Sequence, residues 1–308
     1  MSMRVALAQV APALGNVDAN LRMHHKAAQT ALRAGADLVV FPELSLTGYL
    51  LQDLVPEVAL PVRGSREIRE LLALSRRIGL VVGLVEESED HRYFNSALFL
   101  WRGKILHCHR KVYLPTYGMF DEGRDFAAGD SLRAFSTPLG RFGILICEDA
   151  WHPTSTYLLG LHGADYLLVV SSGPSRGIGG GKEPASLDAW RDLCRVTARY
   201  QTAYVAYVNR VGVEDGIHFG GGSLVADPQG QITRQAPASK ETILIATLAK
   251  APLRRARMAY PLRRDARPHL LLKELSRLIG EERVPEGERP GKSFTSSVRP
   301  LLARGRLG

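Results

Sequence analysis

Ala34-Gly35-Ala36-Asp37-Leu38-Val39-Val40 and His162-Gly163-Ala164-Asp165-Tyr166-Leu167-Leu168 read as two copies of one junction. In each, a helical stretch gives way to glycine, an aspartate follows, and an apolar run without polar alternation begins. Such a run suits a strand covered on both faces. Working outward, residues 18–32 form a helix with Asn16 or Asp18 to cap its start, and residues 152–162 form a helix before the second copy. Further helices are expected over residues 63–78 and 184–200. Further strands are expected over residues 3–9, 80–85, 142–147, 203–208 and 242–248. Each half also carries a strand–turn–strand ribbon: residues 96–109 around Arg102-Gly103-Lys104, and residues 223–234 around Asp227-Pro228-Gln229-Gly230. Helices alternating with strands, interrupted by hairpins, point to layered α/β with some antiparallel pairing. A two-fold sandwich, sheet against sheet with helices outside, accounts for the echo. Helix–Gly-Ala-Asp–strand junctions are common in α/β chains, so the echo alone does not decide it.

The composition is that of an ordinary soluble chain: 308 residues, 45% hydrophobic and 23% charged. A chain this long buries a substantial core without staples. The three cysteines, Cys108, Cys147 and Cys194, argue against a disulfide framework and for a reducing compartment, so cytoplasm is the expected location. Residues 1–10 hold one basic side chain, Arg4, and read as a strand rather than a signal sequence. No apolar run approaches the roughly 20 residues of a membrane helix, so no membrane partner is expected. The net charge of +9 lies entirely in residues 250–308, which carry 15 Lys and Arg against 6 Asp and Glu. A charge confined to one end is not the footprint of a nucleic-acid-binding fold. The expected organisation is one domain over residues 1–250 and a basic extension over 251–308 that packs on a neighbouring subunit or is partly disordered. Within it, residues 270–279 suit a short helix and residues 285–308 an extended arm.

Three segments place reactive side chains at strand ends. Phe41-Pro42-Glu43-Leu44 delivers a carboxylate, and Leu46-Thr47-Gly48-Tyr49 turns away from it. His109-Arg110-Lys111-Val112-Tyr113-Leu114-Pro115 ends a hairpin strand on a lysine. Ile144-Leu145-Ile146-Cys147-Glu148-Asp149-Ala150-Trp151 takes a cysteine out of an apolar strand into two acids and a helix start. Singly, these are a loop acid, a solvated lysine and a small core residue. Together they supply a base, a cation and a nucleophile, the set that acyl transfer needs. His107, Cys108 and His109 lie close in sequence, but their alternating directions and lack of paired spacing argue against zinc.

These three segments, in this order, resemble the nitrilase, or carbon–nitrogen hydrolase, superfamily over roughly residues 3–250. The resemblance implies an αββα sandwich and pairing of two subunits into a four-layer homodimer or higher homo-oligomer. It implies a catalytic Glu–Lys–Cys set at Glu43, Lys111 and Cys147, with a further carboxylate at Glu122 in the context Phe120-Asp121-Glu122. A free thiol has a pKa of about 8.5 and needs help to attack at neutral pH. Glu43 can take its proton, and Lys111 with the backbone N–H of Glu148 can meet the resulting oxyanion. Neither metal nor organic cofactor is required.

Within the superfamily the chain is most similar to the ammonia-releasing glutaminase domain of glutamine-dependent NAD synthetases. The stretches from Leu46 to Leu54 and from Tyr113 to Glu122, and Cys147-Glu148-Asp149-Ala150-Trp151, carry that likeness. It implies a substrate side built from Tyr49, Tyr117 and Glu148. Two features differ: there is no Ser-Gly-Gly-x-Asp-Ser phosphate loop, and the loop after residues 165–170 reads Ser171-Ser172-Gly173-Pro174-Ser175-Arg176-Gly177-Ile178-Gly179-Gly180-Gly181-Lys182. It lacks the end of a phosphate-binding P-loop and reads as a flexible pocket rim on which Arg176 meets a substrate carboxylate. The expected activity is hydrolysis of a small linear amide or carbamoyl compound. The alternatives are a glutaminase subunit feeding a separate synthetase partner, and a non-catalytic binding module of the same fold.

Overall fold

Each half of the chain enters its sheet through the same glycine–aspartate device. The computed structural model describes residues 2–177 and 184–281. The first half runs through β1 (Ser2–Gln9), α1 (Val17–Arg33), β2 (Leu38–Val40), α2 (Val55–Val58), β3 (Leu60–Pro61), α3 (Arg66–Leu74), β4 (Gly79–Glu87), β5 (Tyr93–Trp101) and β6 (Lys104–Arg110). Asn16 caps α1 by accepting the Ala19 N–H at 3.0 Å. Beyond the helix Gly35 adopts φ +72°, where a side chain would be strained. Asp37 then accepts the Arg4 N–H at 2.8 Å and donates its own N–H to the Arg4 carbonyl at 2.8 Å. This sets β2 parallel to β1.

The second half contains α4 (Glu122–Asp125), β7 (Phe135–Thr137), β8 (Gly140–Ile146), α5 (Pro153–Leu161), β9 (Tyr166–Ser171), α6 (Ala185–Gln201) and β10 (Tyr204–Asn209). After α5, Gly163 has φ +81°. Asp165 donates its N–H to the Arg141 carbonyl at 2.7 Å and accepts the Arg141 N–H at 3.4 Å, setting β9 parallel to β8. The echo in the sequence is therefore an echo in space. The chain continues through β11 (Val211–Glu214), β12 (Ile217–Gly220), β13 (Leu224–Ala226) and β14 (Ile232–Gln235). It returns as β15 (Thr242–Ala249), antiparallel along the whole of β1 from Ser2↔Ala249 to Gln9↔Thr242.

One sheet has the order β15-β1-β2-β4-β5-β6, with β3 beside β4; the other is β14-β13-β10-β9-β8-β7. Side-chain alternation sorts β1 cleanly. Ala6 and Ala8 pack with Leu21, Ala28 and Ala31 of α1 and Ile68 and Leu71 of α3. Val5 and Leu7 pack with Ile144, Val169 and Val208 of the second sheet, in a cluster that also takes in Leu159 of α5 and Cys194 of α6. The layers are therefore helix, sheet, sheet, helix. Each fully buried aliphatic side chain contributes about 1.5–3 kcal/mol, which is why the apolar runs fall between layers. No helix among the described residues is long and apolar enough to cross a membrane.

The compact unit extends to Arg264, past the boundary at 250 expected from charge. Helix α7 (Lys250–Ala259) buries Leu253 and Ala256, Arg257 pairs with Asp165 at 2.8 Å, and Arg263 donates to the Gln201 carbonyl at 2.9 Å. Those arginines satisfy backbone and carboxylate oxygens rather than facing only water. The second unit begins at Asp265, and its described part is α8 (Pro268–Glu281), longer at both ends than residues 270–279. The arm expected over 285–308 lies outside the described residues. The β11–β12 hairpin was not anticipated either, although Asp215-Gly216, at φ +46° and +75°, is a typical two-residue hairpin turn.

His24 of α1 offers a test of the packing under the site. Its Nδ1 donates to the Asn20 carbonyl at 2.7 Å and its Nε2 accepts from Ser45 Oγ at 3.0 Å, two residues beyond Glu43. Burial lowers its pKa to about 4, the Asn20 bond only partly opposing. The unfolded chain therefore takes up this proton before the folded one. Between pH 6.5 and 4 stability should fall by about 3 kcal/mol on this account. Urea unfolding at pH 7, 5.5 and 4 should show that fall, and His24→Gln should flatten it. Equal slopes in both proteins would assign the acid sensitivity elsewhere.

Candidate active site

Strand β8 delivers Cys147 from between the two sheets. The chain then tightens into a 3₁₀ turn over Cys147–Trp151, and Cys147 itself has φ +45°. That conformation is uncommon for any residue but glycine. The thiol is buried and accepts a hydrogen bond from Ser171 Oγ at 3.3 Å.

Glu43 lies just past β2 and is 1% exposed. Its Oε1 accepts from Lys111 Nζ and Asn95 Nδ2, each at 2.8 Å, and its Oε2 accepts the Ser172 N–H at 2.7 Å. The loop bearing it lies flat on β4 because position 83 is glycine: a Cβ there would come within 2.4 Å of the Leu44 nitrogen. Lys111, one residue past β6, has a fully buried side chain whose Nζ also donates to Glu122 Oε1 at 2.7 Å. Tyr49 OH donates to the same Glu122 oxygen at 2.7 Å, while Glu122 Oε2 is buried without a hydrogen-bond partner among the described groups. The Tyr49 loop is held from below: the Tyr49 and Leu50 N–H groups donate to Glu214 Oε1 at 2.9 and 2.7 Å, and Arg210 pairs with Glu214 at 2.5 Å.

Charge follows from this packing. Burial disfavours the Lys111 ammonium, but Glu43 and Glu122 outweigh it and hold the lysine above its ordinary range. Burial pushes the Cys147 thiol up and Glu43 adds to it, against Lys111. Burial also raises Glu122, with Lys111 opposing and Glu43 adding. Tyr49 is held well above ordinary phenols by burial and by Glu122, so it remains a donor. The resting centre thus holds a protonated thiol, an ammonium and two carboxyl groups that compete for one cation.

On the open side, Tyr117 is 59% exposed and its hydroxyl donates to Glu148 Oε2 at 2.8 Å. Tyr49, expected with them, has its hydroxyl on Glu122 and belongs to the buried cluster. Arg176 is exposed on the loop after β9, where its N–H donates to Ser186 Oγ at 3.0 Å. Residues 178–182 of the expected glycine-rich rim lie outside the described residues. His107 stacks on Phe135 at 4.3 Å, Cys108 reaches Glu86 at 3.6 Å and His109 faces Asp149, so the three diverge. No group of three His, Cys, Asp or Glu among the described residues is arranged to hold a metal. Sequence reasoning missed Asn95, Ser171, Ser172, His109, Asp149, Arg210 and Glu214. The only signal for Asn95 was a polar residue in an apolar strand; Arg210 and Glu214 lay around the hairpin that was not anticipated.

The chain matches the carbon–nitrogen hydrolase family over residues 4–258. It is 32% identical to the glutamine-dependent NAD(+) synthetase of Acinetobacter baylyi over 242 residues, 79% of this chain and 43% of that protein. It spans less than half the length of the curated relatives it matches first. Among solved structures, the carbon–nitrogen hydrolase from Helicobacter pylori G27 is 25% identical with a TM-score of 0.78, covering 89% of this chain and 99% of that one. A mutant of the amidase from Nesterenkonia sp. AN1 is 25% identical with a TM-score of 0.74, covering 88% and 96%. It shows covalent addition of the acetamide moiety of fluoroacetamide at the active site cysteine.

Proposed function

The chain belongs to the carbon–nitrogen hydrolase family, and we propose that it hydrolyses the C–N bond of a small linear amide through a thioester on Cys147. The observation that carries this reading is the buried Glu43–Lys111–Glu122 cluster set against the left-handed Cys147. Glu43 takes the thiol proton as Sγ attacks the amide carbon. The carbonyl oxygen becomes an oxyanion met by the Lys111 ammonium and the Glu148 N–H. The proton passes to the amide nitrogen from Glu43, or from Glu122 beside it, and ammonia or an amine leaves. Water then attacks the thioester, giving its proton to Glu43, and the carboxylic acid departs as the thiol is restored. The raised thiol makes a dedicated base necessary, because a resting thiolate is not available at neutral pH.

A second reading, a glutaminase that supplies ammonia to a synthetase, is favoured by one feature. The Glu148 carboxylate, held by Tyr117 next to the nucleophile, would suit a substrate that carries an ammonium group. Ammonia release from glutamine, asparagine, simple ω-amides, N-carbamoyl compounds and nitriles separates the readings. The first expects turnover of uncharged amides that Glu148→Gln leaves largely intact. The second expects glutamine to be preferred and Glu148→Gln to raise its KM. No ammonia from any amide would sink both and leave a binding module of the same fold. Pairing of subunits, and packing on a neighbour of the part of the extension that begins beyond the compact unit at Asp265, are part of the same proposal, read out by sedimentation of the full chain.

A further inference from the structure

One buried carboxylate outside the reacting set ties its parts together. Asp149 is 0% exposed. Its Oδ1 accepts the N–H groups of Val112 and Tyr113 at 2.9 and 3.0 Å. Its Oδ2 accepts the Ile146 N–H at 3.0 Å and His109 Nε2 at 2.8 Å. Val112 directly follows Lys111, and Ile146 directly precedes Cys147. Four donors from two distant segments thus converge on one side chain.

We propose that Asp149, oriented by His109, is the positioning residue that fixes the Lys111 strand end relative to Cys147 and holds Cys147 in its left-handed conformation. This rests on the reading of Cys147 as nucleophile. A non-glycine residue at positive φ persists only where its surroundings over-determine it. Here the N–H of Ile146, the residue before Cys147, is pinned by Asp149, and the same carboxylate is anchored to the segment that carries the lysine. An ionised carboxylate only accepts, so His109 carries its proton on Nε2. His109 is 2% exposed and lies two residues before Lys111, which locks the carboxylate from a third point. Burial works against the charged form of Asp149, but the His109 bond and the backbone N–H groups outweigh it and keep it below the usual carboxylate range. All four acceptor contacts therefore persist at neutral pH. Asp149 makes no hydrogen bond to Glu43, Glu122 or the Cys147 thiol, so it acts through placement alone.

The test uses Asp149→Asn, His109→Gln and His109→Ala in the full chain. It reads kcat and KM on the best amide, and the pH profile of Cys147 alkylation by iodoacetamide, mapped by peptide. In Asp149→Asn the new NH₂ must face either the Val112 and Tyr113 or the Ile146 and His109 donors. A displacement of about 1 Å there should lower kcat about 10²-fold and shift the alkylation profile, with KM changed far less. His109→Gln, whose amide N–H can still reach Asp149, should lose less than His109→Ala. A wild-type alkylation profile in Asp149→Asn, or losses that only track the folded fraction by circular dichroism, would overturn the proposal. If Asp149→Asn does not fold, the two His109 variants decide alone, and equal losses in both would overturn it. Cys147→Ala run alongside separates the premises: activity there would overturn the nucleophile, not the clamp.

Discussion

Cys147→Ala should lower kcat by about 10⁵-fold or more, as expected when a nucleophile that acts in concert with its base is removed. No other thiol can substitute. Cys194 is buried in the core on α6, and Cys108 is an exposed residue of β6 whose sulfur turns onto Glu86, where the partial burial of that sulfur and the carboxylate push its pKa up to about 12. The fold should survive, because among the described residues the side-chain bond lost is the single one from Ser171 Oγ. Alanine meets the same left-handed backbone cost at this position as cysteine does. The measurement is kcat on the best amide from the screen, with thermal midpoints of both proteins as control. Iodoacetamide should label Cys147 before Cys108 or Cys194. Full activity in the alanine variant would remove the thioester mechanism altogether.

Lys111 should be almost as costly to change, and for two separable reasons. Its ammonium is held in charged form by Glu43 and Glu122, so it cannot serve as a base and acts as a fixed charge on the oxyanion. Removing one donor of this kind costs about 10²-fold or more in kcat. Lys111→Arg keeps the charge, but its planar fork does not fit a point-charge site between two carboxylates 2.8 and 2.7 Å away. Lys111→Gln should lose at least as much. It also leaves Glu43 and Glu122 facing each other without a cation, a buried imbalance worth about 3–5 kcal/mol of stability. Both variants must therefore be assayed well below their melting temperatures, with KM expected to move less than kcat. Near-normal kcat in Lys111→Gln would show that the charge is dispensable and would take Lys111 out of the centre.

What sequence alone could decide here was whatever is encoded over a few consecutive residues. Glycine then aspartate after a helix, followed by an unbroken apolar run, marked both sheet entries, because helix termination and strand burial are local requirements. Glu43, Lys111 and Cys147 each stand just past a strand end, but singly they read as a loop acid, a solvated lysine and a core cysteine; the order of their three segments and the resemblance that it carries set them together. Charge was a poorer guide. It suggested a boundary at 250, yet the arginines of α7 and beyond find Asp165 and the Gln201 carbonyl, partners about 60–90 residues away in the chain. The polar contacts that organise the centre are of that second kind. Asn95 meets Glu43 across 52 residues, Glu214 holds the Tyr49 loop across 165, and Asp149 gathers donors from His109, Val112, Tyr113 and Ile146. A buried polar group must find a partner, but no periodicity or spacing states which one. Only the packing of the two sheets, which sets those groups within 3 Å of each other, chooses it.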